Sequence, residues 1–156
     1  MITAKKKTTV EQKALNLTIG EDETKMNLTW YANTNTSGTV QLAKAGAMIN
    51  GEFPSQFTTV EATNNQANDK GFYYNQATLA NLEENTKYVY RVVNGDQVSK
   101  IYDFTTKDFD GSYNFIFAGD PQIGASGSAS KDTEGWDKTL SDSINKFNPK
   151  LHSFSW

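Results

Sequence analysis

The chain has 156 residues, with 37% hydrophobic and 12% aromatic side chains, which is enough for a packed core and too much for a disordered tail. A net charge of −3 provides no basic field for a phosphate backbone, so nucleic acid is not an expected partner. The absence of cysteine removes disulfides, thiolate zinc sites and cysteine nucleophiles together, and leaves the compartment undecided.

Residues 1–12 read as a flexible N-terminus, with Lys5, Lys6 and Lys7 as the only basic cluster. Met1 followed directly by this lysine-rich stretch looks like a start placed after a processing site. No apolar run approaches the roughly 20 residues needed to span a bilayer, so no membrane span is expected.

From Lys13 onward the dominant signal is alternation. Leu15, Leu17 and Ile19 share one side of a first strand, and Met26, Leu28 and Trp30 one side of a second, with Gly20-Glu21-Asp22-Glu23 as the charged turn between them. The run Asn33 to Gly38 is a loop, and Val40 and Leu42 open a third strand. Phe57 to Ala62 alternates as a fourth, Thr63 to Lys70 reads as a polar loop, and Phe72 to Leu79 resumes extended structure. Tyr88 to Val93 and Ser99 to Phe104 flank Asn94-Gly95-Asp96, the signature of a tight hairpin. Seven short strands with no helix before Lys107 predict a mainly β, two-sheet antiparallel sandwich over residues 13–107.

Within it, Leu82-Glu83-Glu84-Asn85-Thr86-Lys87-Tyr88 resembles the segment that crosses between sheets in fibronectin type III domains. In those domains a leucine plugs the core and a tyrosine hydroxyl bonds back to the chain, the tyrosine corner. Leu82 and Tyr88 match these places, while Glu84 stands where proline is common. Trp30 is expected in the core.

After Asp108-Phe109-Asp110-Gly111 the pattern changes. Tyr113 to Ala118 is an apolar run that reads as a buried strand, and it ends in Gly119-Asp120-Pro121-Gln122. A strand that exits through Gly-Asp aims a carboxylate at the carboxyl end of a sheet, where metals and ligands collect, although Gly-Asp is also an ordinary turn. The loop Gly124 to Ser130 lacks the lysine and spacing of a P-loop and reads as a connector. Asp132 or Thr133 would cap a helix whose apolar stripe is Trp136, Leu140, Ile144 and Phe147, ended by Pro149, with a further strand from Leu151 to Trp156. Residues 108–156 would then be the start of a β-α-β unit, truncated.

Residues Tyr113 to Trp136 resemble the opening of the calcineurin-like metallophosphoesterase domain, and a fibronectin-like domain directly before that opening is the arrangement of purple acid phosphatases. Leu17-Thr18-Ile19-Gly20 through Thr29-Trp30 is similar to the start of that family's N-terminal domain. The resemblance implies that the parent protein hydrolyses phosphate esters at a binuclear metal centre of iron, zinc or manganese. It implies Asp120 as a metal ligand and places Gln122 where relatives have a histidine ligand or a glycine. It also implies an extracellular or cell-surface location in a bacterium. No second histidine joins His152, so the chain alone is expected to be inactive and to bind no metal. The exposed helix stripe is expected to be mobile or to self-associate with a neighbouring copy.

Two other readings stand beside this one. The first is a fibronectin-like binding or spacer module of a cell-surface protein. The second is carbohydrate binding through Phe72, Tyr73 and Tyr74, against which alternating aromatics on a strand are more commonly packing residues. Asn16, Asn27 and Asn35 each head an Asn-x-Ser/Thr triplet and read equally well as strand and turn residues.

Overall fold

The structure is a computed structural model that describes residues 9–111, 116 and 118–147. The chain divides into two compact units, residues 1–109 and 110–156.

Among its described residues the first unit holds nine strands: β1 (Gln12–Ile19), β2 (Met26–Ala32), β3 (Thr39–Lys44), β4 (Thr58–Glu61), β5 (Thr63–Gln66), β6 (Tyr73–Leu79), β7 (Lys87–Asn94), β8 (Gln97–Val98) and β9 (Tyr102–Thr105). One sheet runs β1-β2-β6-β5 and the other β4-β3-β7-β8, with β9 also on β7, and every pairing is antiparallel. Alternation builds the interior. Leu28, Trp30 and Ala32 of β2 and Ala77 and Leu79 of β6 form a core cluster with Val40 and Leu42 of β3 and Tyr88, Tyr90 and Val92 of β7. Full burial of one such large side chain stabilises the fold by roughly 1.5–3 kcal/mol. The expected sandwich is the observed one.

The first strand departs from simple alternation. Gln12 pairs with Ala32 and Lys13 with Tyr31, but Asn16 pairs with Thr29, so β1 carries one extra residue there. Ala14 sits in this bulge at φ +52, a left-handed conformation that an L-residue with a Cβ adopts at a cost. The bulge changes which parity faces inward. Gln12 reaches the interior before it, and Leu15 and Leu17 pack against the core after it. Ile19 shares their parity and is still 46% exposed, at the strand end.

The segment Thr63–Gln66, read from sequence as loop, is an edge strand. It pairs with β6 from Thr63↔Gln76 to Gln66↔Tyr73. Its side chains are all polar, and β-propensity scales miss strands whose stability comes from ladder hydrogen bonds at an open margin. The same stretch of chain supplies β4 to one sheet and β5 to the other. Ala62, buried between them, marks the crossing.

The hairpin also differs in detail. Asn94 pairs with Gln97, so the central turn residues are Gly95 and Asp96, and the positive φ of +59 falls on Gly95 alone. Asn94 is a fully buried strand residue. The return strand is broken between β8 and β9, where the Ser99 hydroxyl accepts from Val92 N at 3.0 Å while Ser99 N donates to Val92 O at 2.9 Å. A side-chain oxygen thus replaces one ladder acceptor. Tyr88 Oη accepts a hydrogen bond from Glu83 N at 2.8 Å, and Leu82 is buried, which is the tyrosine corner expected from those two residues.

In the second unit the described element is α1 (Ala129–Phe147). It begins earlier than the sequence suggested, so neither Asp132 nor Thr133 caps it. The Thr133 hydroxyl instead donates to Ala129 O one turn back, at 2.8 Å. Leu140 is buried, Trp136 and Ile144 are half-buried, and Phe147 is 57% exposed. Most of the strand expected over residues 113–118, all of that expected over 151–156, Pro149 and His152 lie outside the described residues.

Candidate functional site

The proposed ligands lie in the segment leading into α1. Asp120 and Gln122 are exposed, with Pro121 half-buried between them. Asp120 Oδ1 accepts from Gln122 N at 2.9 Å, a short-range turn in which an aspartate side chain takes the place of a backbone carbonyl. The turn puts Gln122 at φ +49, a left-handed conformation uncommon for a residue with a side chain. Two further turns come next, closed by Ala125 N to Gln122 O at 2.9 Å and Gly127 N to Gly124 O at 3.0 Å. Gly124 and Gly127 supply the positive φ values of +98 and +84 there.

Asp132, one turn into α1, organises this loop from the other side. Its Oδ2 accepts from Gly124 N at 2.8 Å and from Ser126 N at 3.3 Å. The Ser126 side chain foremost, and then these backbone N–H groups, hold its carboxyl below the ordinary range against partial desolvation. Sequence reasoning named Asp132 as a cap and missed this role. The signal was present as an aspartate following a run of glycine and serine whose backbone N–H groups need acceptors.

Asp120 and Gln122 are thus adjacent in one turn, each carrying an oxygen donor. Among the described residues no three His, Cys, Asp or Glu side chains come close enough to hold a metal ion. One carboxylate and one amide are too few for a two-metal site, so the described residues do not by themselves fit a binuclear centre.

The three aromatics weighed for carbohydrate binding part company in the structure. Tyr73 pairs with Ala32 and shares the inward parity of Asn75, Ala77 and Leu79, and Phe72 lies under Lys13, whose Nζ is 3.6 Å from the ring centroid. Tyr74 faces outward from β6, directly opposite Tyr31 of β2. Tyr31 was not singled out from sequence, because only the β2–β6 register brings the two together.

No curated protein matches the chain. Among solved structures, a purple acid phosphatase (PPD1) isolated from yellow lupin (Lupinus luteus) seeds aligns at 14% identity over 62% of this chain and 20% of that one, with a TM-score of 0.47. The chain therefore spans about a fifth of the lupin protein's length. The sensor domain of the anti-sigma factor RsgI4 in Pseudobacteroides cellulosolvens aligns at 18% identity, over 70% of this chain and 100% of that one, with a TM-score of 0.47. Astrotactin-2, a vertebrate-specific perforin-like membrane protein, aligns at 13% identity over 57% and 20%, with a TM-score of 0.40. The family model that describes the purple acid phosphatase N-terminal domain matches residues 12–106, from the first residue of β1 to the residue after β9. That span holds the whole sandwich, and by it the chain belongs to the purple acid phosphatase N-terminal domain family.

Proposed function

We propose that the chain is the N-terminal part of a purple acid phosphatase-like metallophosphoesterase, with the sandwich of residues 13–107 as its accessory domain and residues 108–156 as the start of the catalytic domain. The observation that carries this reading is the family match over residues 12–106. Beyond that span, Gly119-Asp120 supplies an exposed carboxylate that serves as one metal ligand of a site completed by other parts of the protein. Gln122 lies next to it in the same turn, placed to give its amide oxygen to the metal or to hydrogen-bond a neighbouring ligand. The substrate class is a phosphate ester, and metals held by the completed site would supply the hydrolytic chemistry there. This chain's contribution is to position one oxygen donor. Among the described residues no helix is long and apolar enough to cross a membrane. An extracellular or cell-surface location in a bacterium belongs to the same proposal, as does contact of the apolar helix stripe with a neighbouring copy.

The test uses the longer protein that carries these residues. Asp120→Ala is expected to lower both bound metal, measured by elemental analysis, and turnover of a chromogenic phosphate ester by at least about a hundredfold. The 156-residue chain alone, supplied with divalent metals, is expected to show no turnover above its own Asp120→Ala variant. Full metal content and turnover in the longer Asp120→Ala protein overturns the assignment of Asp120, and metal-dependent turnover by the short chain overturns its role as an accessory part.

A further inference from the structure

The outward face of the β1-β2-β6-β5 sheet carries rows of side chains set by its register. Register places Lys13, Tyr31, Tyr74 and Asn65 in one row that crosses all four strands, since Lys13 pairs with Tyr31, Tyr31 with Tyr74, and Tyr74 with Asn65. At an inter-strand spacing of about 4.8 Å this row is about 14 Å long. The neighbouring row places Thr29 beside Gln76. Hydroxyl and amide side chains surround the tyrosine pair, and apart from Lys13 and the two tyrosines every paired outward position on these four strands carries a hydroxyl or an amide. The one charged outward residue, Lys13, has its Nζ 2.6 Å from Asp69 Oδ2 and over the Phe72 ring, so its charge is neutralised locally.

We infer that this face is a binding platform for a neutral polysaccharide. The chemistry of the face selects the ligand. A sugar ring presents a C–H face that packs on an aromatic ring, and Tyr31 and Tyr74 offer two rigid, amphipathic rings that lose little conformational freedom on contact. Its hydroxyl rim needs partners that both donate and accept, which amide and hydroxyl side chains do and charged groups do not. A protein partner would call for a cluster of apolar anchors at the centre of the contact, and the paired outward positions offer only the two tyrosines. An anionic polymer or lipid surface would call for unpaired cations, and Lys13 is already paired. An uncharged polar face, in a chain in which 21% of residues are charged, is complementary to an uncharged polyol. This inference does not depend on the phosphoesterase reading.

The experiment uses the full chain. Co-sedimentation with insoluble cellulose and chitin, and affinity electrophoresis in gels containing soluble xylan or mixed-linkage β-glucan, measure retention. Retention on at least one of these polymers is expected, with affinity about tenfold or more lower for Tyr31→Ala and for Tyr74→Ala, and lower by a smaller factor for Gln76→Ala. Phe57→Ala, which removes a 40% exposed aromatic next to β4 of the other sheet, is expected to leave retention unchanged. Thermal melting accompanies each variant. If a tyrosine variant fails to fold, Gln76→Ala and Thr29→Ala, both on the same face, decide the matter. Absence of retention on all four polymers overturns the proposal, as does retention indifferent to these substitutions or abolished by moderate salt. Sedimentation velocity covers the remaining occupant: a dimer that the tyrosine substitutions convert to monomer would make this face a self-association surface and overturn it as well.

Discussion

Trp30 and Asn94, on strands of opposite sheets, meet in the interior through a hydrogen bond from indole Nε1 to Oδ1 of 2.8 Å. The same oxygen accepts from Gln12 Nε2 at 3.0 Å, and Asn94 Nδ2 donates to Asn75 Oδ1 at 3.4 Å. Both Trp30 and Asn94 are fully buried. The largest apolar side chain of the core is therefore oriented by a polar one from the facing sheet.

Asn94→Leu should destabilise the sandwich by about 2–3 kcal/mol, because it leaves the buried indole N–H without its acceptor while the replacement is similar in size. Denaturant unfolding followed by tryptophan fluorescence checks this. A loss under about 0.5 kcal/mol would mean that the indole N–H is satisfied in another way.

Gly38 gives a second, steric test of the same region. A Cβ built there would lie 2.6 Å from Trp30 Cζ2, 2.6 Å from Asn94 Nδ2 and 2.9 Å from Val93 O. Since one of these neighbours is backbone and another is a fixed ring, Gly38→Ala is expected to cost about 1–3 kcal/mol. Gly46, with nothing within 4 Å of its Cβ position, is the matched control, and Gly46→Ala should change stability by less than about 0.5 kcal/mol.

Much of this was legible in the amino-acid order, and the exceptions have physical reasons. Leu28, Trp30, Val40 and Leu42 declare their strands because one face of each is buried and the alternation is unbroken. Leu82 and Tyr88 declare the corner through their resemblance to the segment that crosses between sheets in fibronectin type III domains. Ala14 gives no signal, since a bulge formed by alanine at φ +52 has none of the composition of a glycine bulge. Thr63–Gln66 is silent because an edge strand of polar residues is held by main-chain bonds that side chains do not announce. Asn94 was read as turn chemistry, and only the pairing with Gln97 shows it to be core. In the candidate site, Asp120 and Gln122 were visible as residue types, while the clasp formed by Asp132 depended on a loop path that composition does not encode.

Alkaline pH probes the stacked aromatics. Tyr90 is buried against Tyr102, with centroids 5.5 Å apart, and desolvation foremost pushes its hydroxyl up to about 12 from an ordinary 10.0. The unfolded chain ionises this group first, so the stability it contributes is present below pH 10 and is lost as pH rises from 10 through about 12. Tyr90→Phe should flatten the fall in melting temperature across that window. An unchanged slope would show that other groups govern alkaline unfolding.

Asp132 gives a local test in the second unit. Asp132→Ala removes the acceptor for Gly124 N and Ser126 N, and faster amide hydrogen exchange is expected at those two positions, with little change in β2 or β7. Protection of Gly124 and Ser126 that survives the substitution would mean that the successive turns hold the loop without the clasp.

The passage of the chain through Ala62 has a mechanical side. Residues 58–66 form the margin of both sheets on one flank of the sandwich, so neither margin can be peeled back alone. An intruding strand that displaced β4 from β3 would have to strain the joint at Ala62 and loosen β5 from β6 in the same motion. The two margins on this flank are thus tied to each other by a single length of backbone, fastened like a seam.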